Sequence, residues 1–267
     1  MRRTTPVFAI EPGDNVRRLL DMPGGPPYVI GTAGEVATNA PVSPGAVVVA
    51  PAAYLGRLRA LCAQVKVLAI GHPDHAIDCL RAGAFSFFSE PVFESSFRDV
   101  LQNAMSAEDW ENDLQLDSAT FEWVGLRVRC KMDTVDRLIQ WLREIERDLH
   151  PKEREDLLSA LRELISNGIE HGGHSDPGQI LRVSRVKTRR TRTYHIQDPG
   201  PGFSFDDLPH AAVSNVAGAP IRHAEVRDTH GMRPGGFGIM LSRNLADELI
   251  YSEKGNEVLL IKYVPAD

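Results

Sequence analysis

Glu163 and Asn167 stand four residues apart in a stretch whose apolar residues, Leu157, Leu158, Leu161, Leu164 and Ile165, recur at helical spacing. That spacing puts the carboxylate and the amide side by side on one helix face, off the leucine stripe. A carboxylate there can take a proton from a neighbouring hydroxyl, and an amide oxygen can bind Mg²⁺. The same pair also reads as a solvated polar face. Two later stretches bear on the choice. Asp198-Pro199-Gly200-Pro201-Gly202-Phe203 puts an acceptor at the end of a strand-like run, with two glycines after it, which alone could be any turn. Pro234-Gly235-Gly236-Phe237-Gly238-Ile239-Met240-Leu241 then opens a helical pattern expected to run through Ser242–Leu249. Glycines before a helix expose backbone N–H groups next to its positive end, which suits phosphate.

The surrounding pattern supplies the elements that must position these groups. Phe121–Cys130 reads as a strand. Asp133 and Asp136 then open a helix with Val135, Leu138, Ile139, Leu142, Ile145 and Leu149 on its apolar side. His150-Pro151 breaks it, and Pro151 suits the first turn of the helix that carries Glu163 and Asn167. A hairpin, Ile180–Val186 and Thr193–Gln197, leads into Asp198. Its basic run, Arg182, Arg185, Lys187, Arg189, Arg190 and Arg192, is either a solvated hairpin or a surface for an acidic partner or nucleic acid. His171 and His174 form an H-x-x-H pair without further ligands.

Taken in order, the Glu-x-x-x-Asn helix, the Asp-x-Gly-x-Gly turn and the Gly-x-Gly helix start resemble the three nucleotide boxes of GHKL (Bergerat-fold) ATPases. The likeness runs from about residue 120 to the C-terminus. The resemblance implies an α/β sandwich that binds ATP with Mg²⁺. It gives Asp198 the adenine amino group, and Gly200 and Gly202 the close backbone approach. It gives Asn167 the Mg²⁺, and Gly235, Gly236 and Gly238 the phosphates at a helix start. The segment from Phe203 to Arg233, with His210, His223, His230, Arg222, Arg227 and Arg233, corresponds to the ATP lid. The ending Asn244–Tyr251 and Gly255–Lys262 is more similar to bacterial anti-sigma serine/threonine kinases than to sensor histidine kinases. That resemblance implies transfer of phosphate to a serine or threonine of an anti-anti-sigma antagonist, with Glu163 as base and a sigma factor as second partner. A non-catalytic ATP-dependent switch is the alternative. A histidine autokinase is set aside, because His150 lies at a helix break 17 residues before Asn167.

The first hundred residues alternate apolar runs, Pro6–Ile10, Tyr28–Ile30, Ala46–Ala50, Val65–Ile70 and Phe85–Phe88, with amphipathic stretches such as Tyr54–Cys62 and Ala76–Ala82. Five strands alternating with helices predict a doubly wound parallel sheet whose functional edge is the carboxyl end of its strands. Leu80-Arg81-Ala82-Gly83-Ala84-Phe85-Ser86-Phe87-Phe88-Ser89-Glu90-Pro91 resembles the last strand of a response-regulator receiver domain. Glu90 stands where that family has a lysine, and strand three ends in Val49-Ala50-Pro51 without a phosphoacceptor aspartate. Strand one leads to a single acid, Glu11, and strand four ends in Ile70-Gly71. Phosphoryl transfer to aspartate needs the missing nucleophile and cation, so the expectation is a pseudo-receiver that kept the fold and lost the chemistry.

Length and charge fix the partition. A chain of 267 residues, 42% hydrophobic and 25% charged, suits two domains of a soluble protein. Lys and Arg against Asp and Glu number 9 to 9 in residues 1–104 and 21 to 22 in 120–267. Residues 105–119 hold none against Glu108, Asp109, Glu111, Asp113 and Asp117. The expected organisation is therefore a pseudo-receiver at 1–104, an acidic linker or bridging helix at 105–119, and the ATPase domain at 120–267. No apolar run approaches the roughly 20 residues that span a bilayer. Glu11, Pro12 and Asp14 interrupt any leader-like apolar region, and Cys62, Cys79 and Cys130 are too few and too scattered for a disulfide framework or zinc site. These features point to the cytoplasm. The resemblance implies protein partners, with no direct nucleic-acid or membrane contact expected and the homodimer left open.

Overall fold

The computed structural model describes residues 5–32, 45–61, 63–120, 122–203 and 238–264. They divide into two compact units, Met1–Asp113 with Asp136–Asp148, and Leu114–Val135 with Leu149–Asp267.

In the first unit, β1 (Val7–Ile10), β2 (Tyr28–Gly31), β3 (Val47–Pro51), β4 (Lys66–Gly71) and β5 (Ser86–Ser89) form a parallel sheet in the order β2-β1-β3-β4-β5. This is the doubly wound, flavodoxin-like arrangement expected from the alternation of apolar runs and helical stretches. Strands β3 and β5 are buried along nearly their whole length, as a sheet covered on both faces requires. The helices are α1 (Asp14–Leu20), α2 (Leu55–Leu61), α3 (Ala76–Arg81) and α4 (Glu94–Ser106). One core joins Val7, Val49, Leu68, Phe88 and Phe97 to Trp110. Lys66 is buried, and its Nζ donates to the main-chain oxygens of Ala104 (2.8 Å) and Ala107 (2.6 Å), closing the end of α4.

A fifth helix completes this unit. α5 (Thr134–Ile145) packs, from Asp136 onward, against the edge strand β5. An edge strand leaves alternate main-chain oxygens without a neighbour. Here Arg137 donates to the oxygen of Phe85 (3.0 Å), Gln140 to Phe87 (3.0 Å) and Arg147 to Ser89 (2.6 Å). Arg137 also forms an ion pair with buried Asp113 and stacks over the Phe85 ring at 4.0 Å, while Trp141 stacks on Phe87. Glu144, buried and bonded to Ser89, Gln140 and Arg147, has its carboxyl pushed above the usual range by that burial.

The second unit is an antiparallel sheet in the order β10-β11-β9-β8-β7-β6. Its strands are β6 (Leu114–Ala119), β7 (Trp123–Arg129), β8 (Ile180–Lys187), β9 (Thr191–Gln197), β10 (Glu248–Tyr251) and β11 (Glu257–Tyr263). Val124, Leu126 and Val128, Leu181 and Val183, Tyr194 and Ile196, and Val258 and Leu260 alternate along the strands and are buried on one face. α6 (Pro151–Asn167) begins at its proline and buries Leu157, Leu158, Leu161, Leu164 and Ile165. Burial contributes roughly 1.5–3 kcal/mol for each such side chain. α7 (Gly238–Leu245) packs on α6, where Ser242 donates to the oxygen of Ala160 at 3.3 Å.

Two expectations change. The acidic stretch 105–119 is not a tether: Trp110 is buried in the first core, and 114–119 form β6, paired with β7 through Leu114↔Val128 and Leu116↔Leu126. The acidic side chains hid the alternation of Leu114 and Leu116. The helix expected through Leu249 stops at Leu245, because Leu249 and Tyr251 alternate with exposed Ile250 and pair with Leu260 and Val258.

Candidate functional site

At the end of α6 the chain does not simply unwind. Gly168–Gly172 continue it as a wider π-helical turn, with Gly173 N–H donating to Gly168 O at 2.8 Å. Such turns insert a residue and re-aim the chain beyond them, and they are frequent at functional sites. Here the turn sends Gly172 towards the end of β9.

Asp198 sits at that strand end. Its N–H donates to Asn256 O (3.0 Å), and the Asn256 side-chain amide donates to Asp198 O (3.3 Å), so the start of β11 holds its backbone on both sides. Its Oδ1 accepts the Gly200 N–H at 2.8 Å. Burial pushes the carboxyl above its usual range, partly offset by the Gly200 N–H and the Lys254 charge. The neighbours are glycines because nothing larger fits. A β-carbon at 200 would lie 2.9 Å from Gly172 Cα, and one at 172 would overlap the Asp198 carboxyl itself. Gly202 has φ +86°, and a β-carbon there would overlap Lys254 O. The two glycines expected to admit a nucleotide thus also admit the chain's own backbone. Phe203 and Tyr251 meet edge to face at 5.5 Å between centroids and form an aromatic wall beside Asp198. Burial raises the Tyr251 phenol.

Glu163 and Asn167 lie at the other end, half-buried and one turn apart on α6. The first residue of α7 faces them: a β-carbon on Gly238 would stand 2.6 Å from Glu163 Oε2 and 3.5 Å from Asn167 Nδ2. The start of α7, with its positive dipole end, therefore abuts the carboxylate–amide pair.

Glu163, Asn167, Asp198, Gly202 and Gly238 all line one cavity of about 620 Å³, within the range of small-molecule sites. Gly200 packs behind Asp198 rather than on the cavity wall. Gly235, Gly236 and the histidines and arginines expected in the lid lie outside the described residues. Among the described residues no group of three or more His, Cys, Asp or Glu is arranged to hold a metal, and His171 and His174 simply line the cavity mouth. The sequence reading missed Gly172, Tyr251 and Asn256. The His171-Gly172-Gly173 run was a signal for the first, but only the π-helical turn explains it.

The cavity suits an adenine nucleotide. It has a half-buried carboxylate acceptor and an aromatic wall at one end, a helix start for anionic groups at the other, and an amide where a hard cation would neutralise them. A second cavity of about 480 Å³ lies at the carboxyl ends of the first unit's strands, where Glu11, Pro51, Gly71 and Glu90 meet. Tyr54 donates to Glu11 Oε2 at 2.8 Å. Among the described residues no aspartate, lysine or arginine lines this cavity.

Comparison with protein families matches residues 128–262 to the family described as the histidine kinase-like ATPase domain. A comparison with curated proteins finds no match. The match, just over half the chain, implies ATP binding, for which Mg²⁺ is the usual companion. It includes residues 136–148, which pack in the first unit. No helix among the described residues is long and apolar enough to cross a membrane.

Proposed function

This chain belongs to the histidine kinase-like ATPase domain family, and we propose that it is an ATP-dependent protein serine/threonine kinase of the anti-sigma type. The observation that carries the reading is the juxtaposition of Glu163 and Asn167 with Gly238 at the start of α7. A nucleotide-binding module needs the amide and the helix start. The carboxylate has a further use where a hydroxyl must lose its proton.

Bound ATP·Mg²⁺ supplies the transferable γ-phosphoryl group. Asp198 accepts a hydrogen bond from the adenine amine. The start of α7 faces the phosphates. Asn167 offers its amide oxygen to Mg²⁺. Glu163 takes the proton from a serine or threonine hydroxyl as the new O–P bond forms and the bond to the ADP oxygen breaks. Positioning and charge stabilisation carry most of the acceleration in phosphoryl transfer, so the proton acceptor is a contributor and not the whole catalyst. The substrate is an antagonist (anti-anti-sigma) protein, and a sigma factor is the regulated partner.

A second reading, a non-catalytic switch, draws support from the first unit. Its strand order is consistent with a receiver-like domain. On that resemblance Pro51 and Glu90 stand where the phosphoacceptor and the cation would be, which favours a chain that tolerates a site stripped of its reaction. One experiment decides: incubation with radiolabelled ATP and candidate antagonist proteins from the same genome. Phosphoserine or phosphothreonine on an antagonist supports the kinase. Normal ATP affinity without transfer to any of them leaves the switch.

A further inference from the structure

The sheet of the second unit has a second face. Opposite the buried side chains, Trp123, Val186, Thr193 and Ile261 lie in register across β7, β8, β9 and β11, and Tyr263 pairs with Thr191 one step beyond. Trp123, Val186 and Tyr263 are 46%, 42% and 50% exposed. Large apolar side chains gathered in one row are unlike scattered surface residues. The row ends at the tip of the β8–β9 hairpin. There Thr188 fixes the turn by accepting the N–H groups of Arg190 (3.1 Å) and Thr191 (3.0 Å), and its own N–H donates to Thr191 O (3.0 Å). Arg189 and Arg190 stand exposed on that turn, and Arg182 is exposed on the same face as Val186. Among the described residues none of these three arginines has a carboxylate partner, whereas Arg127, nearby on the same face, is paired with Asp117 at 2.7 Å.

We propose that this corner of the sheet docks an acidic, amphipathic segment of a protein partner. Its apolar side chains lie on Trp123, Val186 and Tyr263, and its carboxylates meet Arg182, Arg189 and Arg190. Charge complementarity selects the occupant: three exposed cations flank an apolar strip and call for anions spaced among apolar groups. A nucleic acid is disfavoured, because exposed Glu122 and half-buried Glu248 border the row and would repel a continuous line of phosphates. The surface is on the opposite face from the nucleotide cavity, so it does not depend on the ATP reading.

The structure supplies its own reporter. Trp110 and Trp141 are 5% and 1% exposed, so Trp123 is the one tryptophan open to a quencher. The full chain is titrated with a soluble amphipathic helical peptide bearing glutamates on one face and leucines on the other, while acrylamide quenching of tryptophan is followed. Binding should protect Trp123 and weaken with added salt. The double variant Arg189→Glu/Arg190→Glu should lose about tenfold or more in affinity, with ATP affinity and melting temperature unchanged. Arg182→Glu, on the strand and away from the turn, should weaken binding in the same direction and guards against a turn that fails to fold. Equal binding by the charge-reversed chains, absence of binding, or equal protection by the same peptide with lysines overturns the proposal. So does displacement of the peptide by single-stranded DNA of matched charge, which would mark a nucleic-acid surface. Protection of Trp123 that rises with protein concentration alone would mark a self-association face and overturn it too.

Discussion

Gly172 lies against the carboxyl group of Asp198, so closely that a β-carbon at 172 would overlap Asp198 Cγ and Oδ1. The backbone of the π-helical turn therefore acts as one wall of the acceptor. Gly172→Ala must push Asp198 away or open the turn. We expect a loss of about 1–3 kcal/mol in folding stability, the usual cost of overpacking, and a fall in ATP affinity of about tenfold or more by calorimetry. A variant that melts and binds ATP as the wild type does would show that the contact does not position the carboxylate.

Glu163 and Asn167 share a face of α6, and the proposed function gives them different work. Asn167→Ala should weaken nucleotide binding in Mg²⁺ and have a smaller effect in EDTA. Glu163→Ala should leave binding nearly intact and lower phosphoryl transfer by roughly 10²–10⁴-fold, the usual worth of a positioned general base. Calorimetric ATP affinity and phosphoserine formation are measured on the same three proteins. Transfer at the wild-type rate by Glu163→Ala would leave the kinase standing and remove Glu163 as its base.

The first sheet, part of the second and most helices were legible because their signals are local. Short apolar runs marked β1 to β5, strand-like runs marked β7 and the β8–β9 hairpin, and the leucine stripe of α6 placed Glu163 and Asn167. The ends of the site were legible as residue types in order: Asp198 before two glycines, and glycine at a helix start. The features that escaped depend on tertiary contact. Nothing in Gly168-Ile169-Glu170-His171-Gly172 announces a π-helical turn, since it forms where Gly172 can slide under Asp198 and Gly173 over Cys130. Nor does the sequence of α5 say that it will join the first unit. Its polar residues Arg137, Gln140 and Glu144 lie off the apolar stripe, yet each is buried against β5. The acidic run 105–119 read as a linker for the same reason, and the second unit begins at Leu114 rather than at 120: Leu114 and Leu116 are few among charges, and only their partners on β7 reveal a strand.

Arg137 tests the packing of α5. It is 3% exposed and serves the Phe85 and Trp110 carbonyls, the Asp113 carboxylate and the Phe85 ring together. Arg137→Ala removes a buried cation from the Asp113 carboxylate and the donors to the Phe85 and Trp110 carbonyls, and we expect a loss of about 3–5 kcal/mol in urea unfolding. A fragment ending at Asp113 lacks α5 altogether and exposes the β5 edge, so it should self-associate, whereas one ending at Asp148 is only a partial remedy because the chain between belongs to the second unit. A monomeric, stable 1–113 fragment would show that the edge needs no cover.

Asp198 couples stability to pH in the direction opposite to a salt-bridged acid. Burial raises its pKa in the folded protein above the ordinary value of 3.8. The folded state then holds the proton more tightly than the unfolded chain. The resulting stabilisation is fully present below 3.8 and is lost as pH rises through the raised folded pKa, leaving an ionised carboxylate that costs stability near neutrality. Asp198→Asn removes that cost and keeps an oxygen for the Gly200 N–H, so at pH 7 the nucleotide-free variant should melt no lower than the wild type. Its margin should shrink as pH is lowered towards 4, where the wild-type carboxyl takes up its proton. ATP binding should move the other way. The wild type needs the charged acceptor, so its affinity should fall as pH drops through the Asp198 pKa, while the variant should bind poorly at every pH because its amide can turn a donor towards the adenine amine. Thermal melts and calorimetry across pH 4–8 measure both. A variant that loses stability at pH 7 but binds ATP normally would mean that the carboxylate is a structural acid and that adenine is read elsewhere.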